Sequence, residues 1–143
     1  MLFRSAAGLT LHESGFARFR QLFEEVVRSM LTPADLERVI ATDGTLENRH
    51  LTLETAATLE RAVWGQGFPA PTFCDVFDVL QQRTVGGRHA KLRLRKGDGE
   101  FEAMLFSHAD PLPPRVQAVY RIGVNEFNGT RSLQITFEHW QPA

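Results

Sequence analysis

Hydrophobic and polar residues alternate with two different periods along the chain, and the period changes near Phe73. Between residues 16 and 30, apolar positions recur every three or four residues, which predicts an amphipathic helix. A second helix is predicted from Leu53, with Thr52 as its N-cap. From Phe73 onward the period is two, as in strands with one buried face. The pattern therefore predicts a helical N-terminal segment followed by a β-rich remainder.

Turn residues divide this remainder into five predicted strands. The breaks are Gly-Gly, Gly-Asp-Gly, a proline-rich segment and Asn-Gly. Five short strands after a helical lead-in predict an α+β, mainly β protein with a small antiparallel barrel. The oligonucleotide/oligosaccharide-binding (OB) fold is the leading candidate for that barrel. The predicted strands are residues 73–84, 88–96, 100–107, 116–127 and 130–140.

The last two predicted strands can be paired residue by residue. Asn128-Gly129 suits a type I′ hairpin turn, and a two-residue loop fixes the register. Val124 then faces Leu133 on an apolar face, whereas the opposite face carries amides, hydroxyls and Arg121. The hairpin is therefore expected to present a polar, weakly charged surface to solvent.

Composition narrows the possible classes of function. The net charge of −1 gives no general attraction to nucleic acid, so any basic site must be local. The single cysteine, Cys74, excludes an internal disulfide and a cysteine-based metal cluster. Apolar runs stay well below the ~20 residues of a membrane span, and the first residues lack the apolar core of a secretory signal. We therefore expect a cytoplasmic protein with no membrane partner.

Catalytic motifs are missing from the sequence. The five histidines are scattered, and Asp75 and Asp78 would point to opposite faces of one strand. The chain has no P-loop and no serine-centred nucleophile elbow. We therefore expect no catalytic residue, metal ligand or cofactor in this chain alone.

The most informative local feature is a basic stripe of six Lys and Arg residues between Asp78 and Asp98, with no acid among them. Side chains two apart on a strand project from one face at steps of about 6.6–6.8 Å, which suits the phosphates of an extended nucleic acid. Glu100 and Glu102 on the next strand could instead neutralise the stripe. A solvated strand face and an anion-binding face fit the pattern equally well. The stripe comprises Arg83, Arg88, Lys91, Arg93, Arg95 and Lys96.

Aromatic residues near turns supply a second ingredient of single-strand binding. Non-specific binders combine a basic groove with rings on which bases stack, at about 1–3 kcal/mol per base. Phe68, within the Gly- and Pro-rich loop 64–73, and Phe127, beside the Asn-Gly turn, are expected to be exposed. Trp64 is interpreted as an anchor of the loop on the preceding helix, and Trp140 as part of the barrel closure.

Several segments are similar to the C-terminal part of the RecJ family of bacterial single-strand-specific DNA exonucleases. The resemblance implies the end of the DHH-associated (DHHA1) domain over residues 6–36 and an OB domain over residues 37–143. Residues 1–5 stand where the family has a Gly-Gly-His motif, and they are expected to be a foreign leader on a truncated reading frame. The similar segments are AAGLTL (6–11), DGTL (43–46), WGQGFPAPTF (64–73), VLQQRTVGGRHAKLRL (79–94) and YRIGVNEFNGTRSLQI (120–135).

The resemblance implies a role in DNA repair and recombination. RecJ-type enzymes degrade single-stranded DNA from the 5′ end using Mn²⁺ or Mg²⁺, whose ligands lie in an upstream catalytic domain, so this chain is expected to be inactive alone. Expected partners are single-stranded DNA, the catalytic domain of the same polypeptide and single-strand-binding protein. The facing of the strands predicts the DNA contacts themselves, with Phe68 and Phe127 as the stacking residues. The predicted backbone contacts are Arg88, Lys91, Arg93 and Arg121, helped by Asn125 and Gln134.

A protein-interaction role is the alternative. The same basic face could dock an acidic partner or position the catalytic domain, because exposed rings and arginines also serve peptide docking. Truncation would further leave Phe16, Phe19 and Phe23 of the first helix as an apolar patch that promotes association.

Overall fold

The computed structural model describes residues 8–36 and 39–143, and the chain divides into two units between Ile40 and Ala41. The leader predicted at residues 1–5 lies outside the described residues. The boundary predicted between residues 36 and 37 stays a prediction, because it rests on the family resemblance alone.

Helix α1, Phe16–Met30, is the main element of the first unit. A turn of 3₁₀ helix, Glu13–Gly15, leads into it, and another, Pro33–Leu36, follows. The predicted apolar face is present, and the rings of Phe19 and Phe23 stack with centroids 5.6 Å apart. No residue of α1 is buried, however, and Phe23 is 59% exposed. The helix thus has the pattern of a packed element without a buried face.

The second unit is a closed barrel of five strands in the order β1-β2-β3-β5-β4. Its neighbouring strands are antiparallel except β3 and β5, which pair in parallel over Ala103–Leu105 and Ile135–Phe137. This arrangement confirms the predicted OB-type barrel, and the strand ends differ from those predicted by one or two residues. The strands are β1 Phe73–Val85, β2 His89–Lys96, β3 Gly99–Leu105, β4 Arg115–Phe127 and β5 Thr130–Pro142.

The hairpin of β4 and β5 has the predicted register, with Val124 opposite Leu133. Asn128 and Gly129 adopt φ angles of 48° and 75°, as a type I′ turn requires at both central positions. Further from the turn the register shifts by one residue, which leaves Glu138 without a residue opposite it on β4. At this β-bulge the side chain of Glu138 reaches Arg121, a predicted site residue.

The barrel core contains the inward-facing half of each strand. On β2, Ala90, Leu92 and Leu94 are at most 1% exposed, and the residues between them point outward. Phe77 and Tyr120 lie at the centre, with ring centroids 5.3 Å apart in an edge-to-face arrangement. Because one face of every strand is used in this way, the polar residues share the outer surface.

Helix α2, Leu53–Arg61, packs against β4. The Thr52 hydroxyl accepts a hydrogen bond from the Thr55 amide, as predicted for an N-cap. Strand β1 pairs with β4 only as far as Tyr120. Beyond it, the Val124 amide donates to Glu60 Oε1 at 2.7 Å. The helix therefore occupies the exposed edge of β4 and leaves the hairpin tip projecting from the barrel.

A buried polar cluster ties the segment before α2 to the barrel. The Asp75 carboxylate accepts hydrogen bonds from the Tyr120 hydroxyl at 2.8 Å and from the Leu46 amide at 3.1 Å. The Lys96 ammonium lies 2.8 Å from Asp75 Oδ1 and also donates to the Leu46 carbonyl. Burial, and then the hydrogen bond to Asp75, raise the pKa of Tyr120 far above its ordinary value. Every member of the cluster has a partner, so it can persist inside the barrel.

Candidate nucleic-acid interface

Two adjacent depressions cross the outer surface of the barrel, roughly across the strands. The first, the β1–β2 groove, has a volume of about 60 Å³, and the second, the hairpin cleft, about 110 Å³. They share Lys91 and Glu102, so they lie side by side, and together they are called the track. The groove is lined by Gln81, Arg83, Lys91, Leu92, Arg93 and Glu102, and the cleft by Lys91, Glu102, Ala103, Met104, Asn125, Ser132, Leu133 and Gln134.

The hairpin cleft exists because strands β3 and β5 separate. Their parallel ladder begins at Ala103 and Ile135 and does not extend toward the hairpin turn. On that side Glu102 belongs to one wall and Gln134 to the other. Because the ladder stops there, polar groups of both strands remain open to a ligand.

Four cations of the basic stripe are paired with acids. Glu100 and Glu102 neutralise cations of the stripe, which is one of the two alternatives predicted from the sequence. The three exposed pairs contribute about 0–1 kcal/mol each to stability, but they cancel the local charge. The pairs are Lys91–Glu102 at 2.7 Å, Arg93–Glu100 at 2.6 Å, Arg95–Asp78 at 3.2 Å and the buried Lys96–Asp75 at 2.8 Å.

Arg121, another predicted contact, is also in an ion pair. Its Nε lies 2.8 Å from Oε1 of Glu138, the residue that bulges from β5. The register inferred from the turn did not indicate this pair, because it placed Thr136 opposite Arg121 and did not include the bulge. Three of the four predicted cationic contacts, Lys91, Arg93 and Arg121, therefore already have a carboxylate beside them.

Two stripe residues, Arg83 on β1 and Arg88 in the β1–β2 turn, form no ion pair with any residue in 8–36 or 39–143. Arg88 Nε lies 3.3 Å from His89 Nε2, while His89 Nδ1 accepts from the Ser107 amide at 3.0 Å. A neutral imidazole accepts at one nitrogen only, so the bond at Nδ1 leaves the ring proton on Nε2. Arg88 is thus available to an anion, and the uncompensated charge lies at the turn rather than along β2.

Arg83 was part of the stripe but not among the predicted contacts. It is exposed on β1 and directly opposite Lys91 of β2. The Gly86-Gly87 turn, with φ angles of 60° and 71°, produces this juxtaposition. The connection is three residues long, Gly86 to Arg88, so the two-residue register argument that was applied to the Asn-Gly hairpin would have placed Ala90 opposite Arg83.

Exposed aromatic rings lie at three places on the barrel unit. Phe127, beside the β4–β5 turn, is 70% exposed, and Phe68 is 68% exposed, as predicted. Phe68 lies on its own loop, where its ring stacks on Trp64 with centroids 5.3 Å apart. Trp64 Nε1 donates to the Leu59 carbonyl, so it anchors the loop as predicted. Sequence reasoning missed Phe106, at the end of β3, although period-two alternation places it on the outer face.

The polar face of the hairpin lines the cleft. Asn125 lies opposite Ser132, and Gln134 follows on the same face of β5. In the described part of the chain, none of these three side chains has a hydrogen-bond partner. The structure thus brings Lys91, Asn125 and Gln134 of the predicted site together and adds Ser132 and Met104. OB barrels bind oligonucleotides at this position, on strands 2 and 3 and the turns between strands 1–2 and 4–5.

Acidic residues on the barrel are dispersed among these contacts. Asp75 faces inward to Lys96, whereas Asp78 pairs outside with Arg95 and Arg115, so the two point to opposite faces as predicted. Within residues 8–36 and 39–143, no three His, Cys, Asp or Glu side chains are grouped to hold a metal ion. No helix in those ranges is both long and apolar enough to cross a membrane.

Comparison with known proteins assigns the chain to a family. The single-stranded-DNA-specific exonucleases RecJ of Dickeya dadantii and Escherichia coli are 42% and 39% identical to it, each over 96% of this chain and 25% of their own length. The chain thus spans about a quarter of the curated relatives it matches. The crystal structure of RecJ in complex with Mn²⁺ from Thermus thermophilus superposes on 94% of this chain, and on 20% of that one, with a TM-score of 0.73 at 25% identity. The same Thermus protein has been solved with Mg²⁺. The profile of the RecJ OB domain matches residues 42–139, most of the chain and nearly all of the barrel unit, and the chain therefore belongs to the RecJ OB-domain family.

Proposed function

We propose that this chain is the single-stranded-DNA-binding C-terminal portion of a RecJ-like 5′-to-3′ single-strand-specific DNA exonuclease. One observation carries the proposal: two adjacent depressions that share Lys91 and Glu102 extend from Arg83 on β1 to the β4–β5 hairpin, whose tip carries the exposed ring of Phe127. Cations at one side and a stacking ring at the other are the two components that non-specific single-strand binding needs. The names of the relatives and the family membership support the same reading.

The charge distribution specifies how the strand would be held. Arg83 and Arg88 bind phosphates directly, while Lys91 and Arg93 bind them only when their glutamates move aside. Arg93 is 59% exposed and Glu100 47% exposed at the side chain, so exchanging one carboxylate for a phosphate costs little. Two direct phosphate contacts at roughly 0.7 each give a log–log salt slope of about −1.4, and four give about −2.8.

The wider assignment belongs to the same proposal. Residues 6–36 are the end of a DHHA1 domain, residues 37–143 are the OB domain, and the catalytic domain with its Mn²⁺ or Mg²⁺ site lies elsewhere in the full polypeptide. The exposed apolar face of α1 is consistent with a helix that packs against upstream residues. The chain alone is inactive, the full enzyme is cytoplasmic, and single-strand-binding protein is a further partner.

A second function is favoured by the paired stripe. Because Lys91, Arg93 and Arg95 are each matched by an acid, much of β2 has little net field to attract phosphates. Exposed Phe106 and Phe127 would also suit a protein partner. In this reading the barrel docks an acidic peptide or positions the catalytic domain, and DNA is held elsewhere.

Fluorescence anisotropy with labelled single-stranded and duplex oligonucleotides at several salt concentrations tests the proposal. We expect a preference for single strands and a slope near −1.4. The R83Q/R88Q double variant should lose at least about tenfold in affinity and nearly all salt dependence. R49Q is the matched control: Arg49 is exposed, and the adjacent Asn48 bonds the Lys96 carbonyl at the opposite end of β2. It should change affinity by less than about twofold, as expected for a distant surface charge.

Two outcomes would contradict the proposal. The first is a folded sample, shown by a cooperative thermal transition, that binds neither oligonucleotide in a salt-sensitive way. The second is an R49Q variant that weakens binding as much as R83Q/R88Q, since the charge effect would then be unspecific. Binding of an acidic peptide in place of DNA would support the docking function.

A further inference from the structure

The two halves of the track differ in charge. This difference determines which part of a nucleotide each half can bind. The β1–β2 groove is lined by Arg83, and Arg88 lies in the turn that joins the same two strands; neither has an acidic partner in the described ranges. The hairpin cleft contains one matched ion pair, Lys91–Glu102, and its other lining side chains are neutral. A phosphate in the cleft would lie beside the Glu102 carboxylate and be repelled by it. A neutral polar group meets no such repulsion.

The cleft is equipped for a neutral polar group. Asn125, Ser132 and Gln134 project into it without engaging other described side chains or backbone groups. Amides and hydroxyls both donate and accept, so together they can match either kind of group on a ligand. Met104 supplies an apolar contact on the β3 wall. The volume of about 110 Å³ equals roughly four water molecules at about 30 Å³ each, which suits the edge of one ring rather than a peptide segment.

We propose that the hairpin cleft receives the edge of one nucleobase of the bound strand, while the phosphates follow Arg83 and Arg88. This inference rests on the proposed function and deepens it. It assigns Asn125 and Gln134 to base contact instead of the backbone contact predicted from sequence. Phe127 lies on the same face two residues beyond Asn125, about 6.6–6.8 Å along the strand, where its ring can stack on the neighbouring base.

The subsite holds a base without selecting its identity. The edges of all four bases combine donors with acceptors, and the three cleft side chains can each present either group. Such a contact raises affinity for any single strand and disfavours a duplex, in which the Watson–Crick edges of the bases are already paired. It therefore gives the barrel a means of preferring single strands that charge alone does not provide.

The test compares oligothymidylate of about 12 nucleotides, within the usual site size of about 4–16 per OB barrel, with an abasic oligomer of equal length and charge. We expect the abasic oligomer to bind wild-type protein at least about tenfold more weakly. N125A/Q134A should weaken oligothymidylate binding about tenfold, as expected for two lost hydrogen bonds, and leave abasic binding unchanged. R83Q/R88Q should instead weaken both oligomers by the same factor.

Two further variants make the comparison robust. S132A removes only a hydroxyl from the cleft and should weaken oligothymidylate binding about threefold, so it replaces the double variant if that variant fails to fold. Q141A removes an amide from the same strand at its other end, where Gln141 bonds Gln117 at 2.8 Å, and should change neither affinity. Thermal unfolding verifies each sample.

The outcomes separate this inference from the proposed function. Equal weakening of both oligomers by N125A/Q134A would mean that the amides contact the backbone, and it would overturn the base subsite alone. Arginine-sensitive binding that is indifferent to all cleft variants would do the same. A folded wild-type protein that does not bind oligothymidylate would overturn both the inference and the proposed function.

Discussion

Helix α1 and strand β2 carry equally regular hydrophobic patterns, but only the strand buries its apolar side. Leu92 and Leu94 are at most 1% exposed, whereas Met30 is 75% exposed and α1 buries no residue. Periodicity therefore predicts the type of element and which face is apolar, while burial depends on a partner. A 15-residue helix without that partner is marginal by itself, because most helix stability comes from tertiary packing.

Amide hydrogen exchange should show the largest contrast between the two regions. Amides of β2 and β4 should exchange only on global unfolding, at about 5–15 kcal/mol, whereas α1 opens at close to zero free energy. The expected difference in exchange rate is several orders of magnitude, measurable by mass spectrometry or nuclear magnetic resonance. Protection of α1 that disappears on dilution would instead reveal self-association through Phe16 and Phe23.

Truncating one ring in each region sharpens the same comparison. F77A removes a ring that is 0% exposed at the barrel centre and should lower the free energy of unfolding by about 3–5 kcal/mol. F23A removes a ring that is 59% exposed on α1 and should change it by less than about 0.5 kcal/mol. Urea unfolding followed by tryptophan fluorescence reports the difference. Similar losses for both variants would mean that α1 is part of the cooperative core.

Ion pairs provide a third contrast. K96M leaves Asp75 buried without its cation and should cost about 3 kcal/mol of unfolding free energy. E24A breaks the exposed Arg28–Glu24 pair on α1 and should change the free energy of unfolding by less than about 0.5 kcal/mol. Adding D75N to K96M should restore part of the loss, because the unpaired charge is removed. Failure of this rescue would argue that Lys96 contributes by packing rather than by charge.

The last contrast is a pH dependence that belongs to the barrel alone. The pKa of Tyr120 is raised by burial and by its hydrogen bond to Asp75, so the folded state keeps its proton where the unfolded state has lost it. Its contribution is complete below pH about 10 and then declines by about 1.4 kcal/mol per pH unit as pH rises. Tyr120 is the single tyrosine, so tyrosinate absorbance follows this group directly. Y120F should remove this component of the decline, and an unchanged profile would assign it to other groups.

The residues that form the turns made it possible to predict the fold from the sequence. Asn128-Gly129 fixed the hairpin register, and Gly86-Gly87 marked the break between β1 and β2. Phe68 and Phe127 were expected to be exposed because they adjoin turns, and they are. These features depend on the backbone preferences of a few consecutive residues, which are present in the sequence itself.

The ion pairs of the basic stripe could not be predicted from the turn residues. The register places Met104 opposite Lys91 and Glu102 opposite Arg93, yet Lys91 pairs diagonally with Glu102. Arg93 is likewise displaced onto Glu100. Diagonal pairs depend on sheet twist and side-chain conformation, which alternation does not specify. The hairpin cleft could not be predicted from the sequence either, because its position depends on where the β3–β5 ladder stops.

The short β3–β5 ladder also affects the order in which the barrel assembles during folding. It joins Ala103 to Ile135, which are 135 − 103 = 32 positions apart, through three residue pairs. The hairpins close short loops and can form quickly, whereas this junction must overcome the entropy of a long loop for little immediate gain. We therefore expect closure of the barrel to be a late event in refolding. The hairpin cleft has one wall on β3 and the other on β5. A chain in which every hairpin has formed but the barrel is still open therefore lacks the cleft. Base-dependent binding would appear only when the barrel closes.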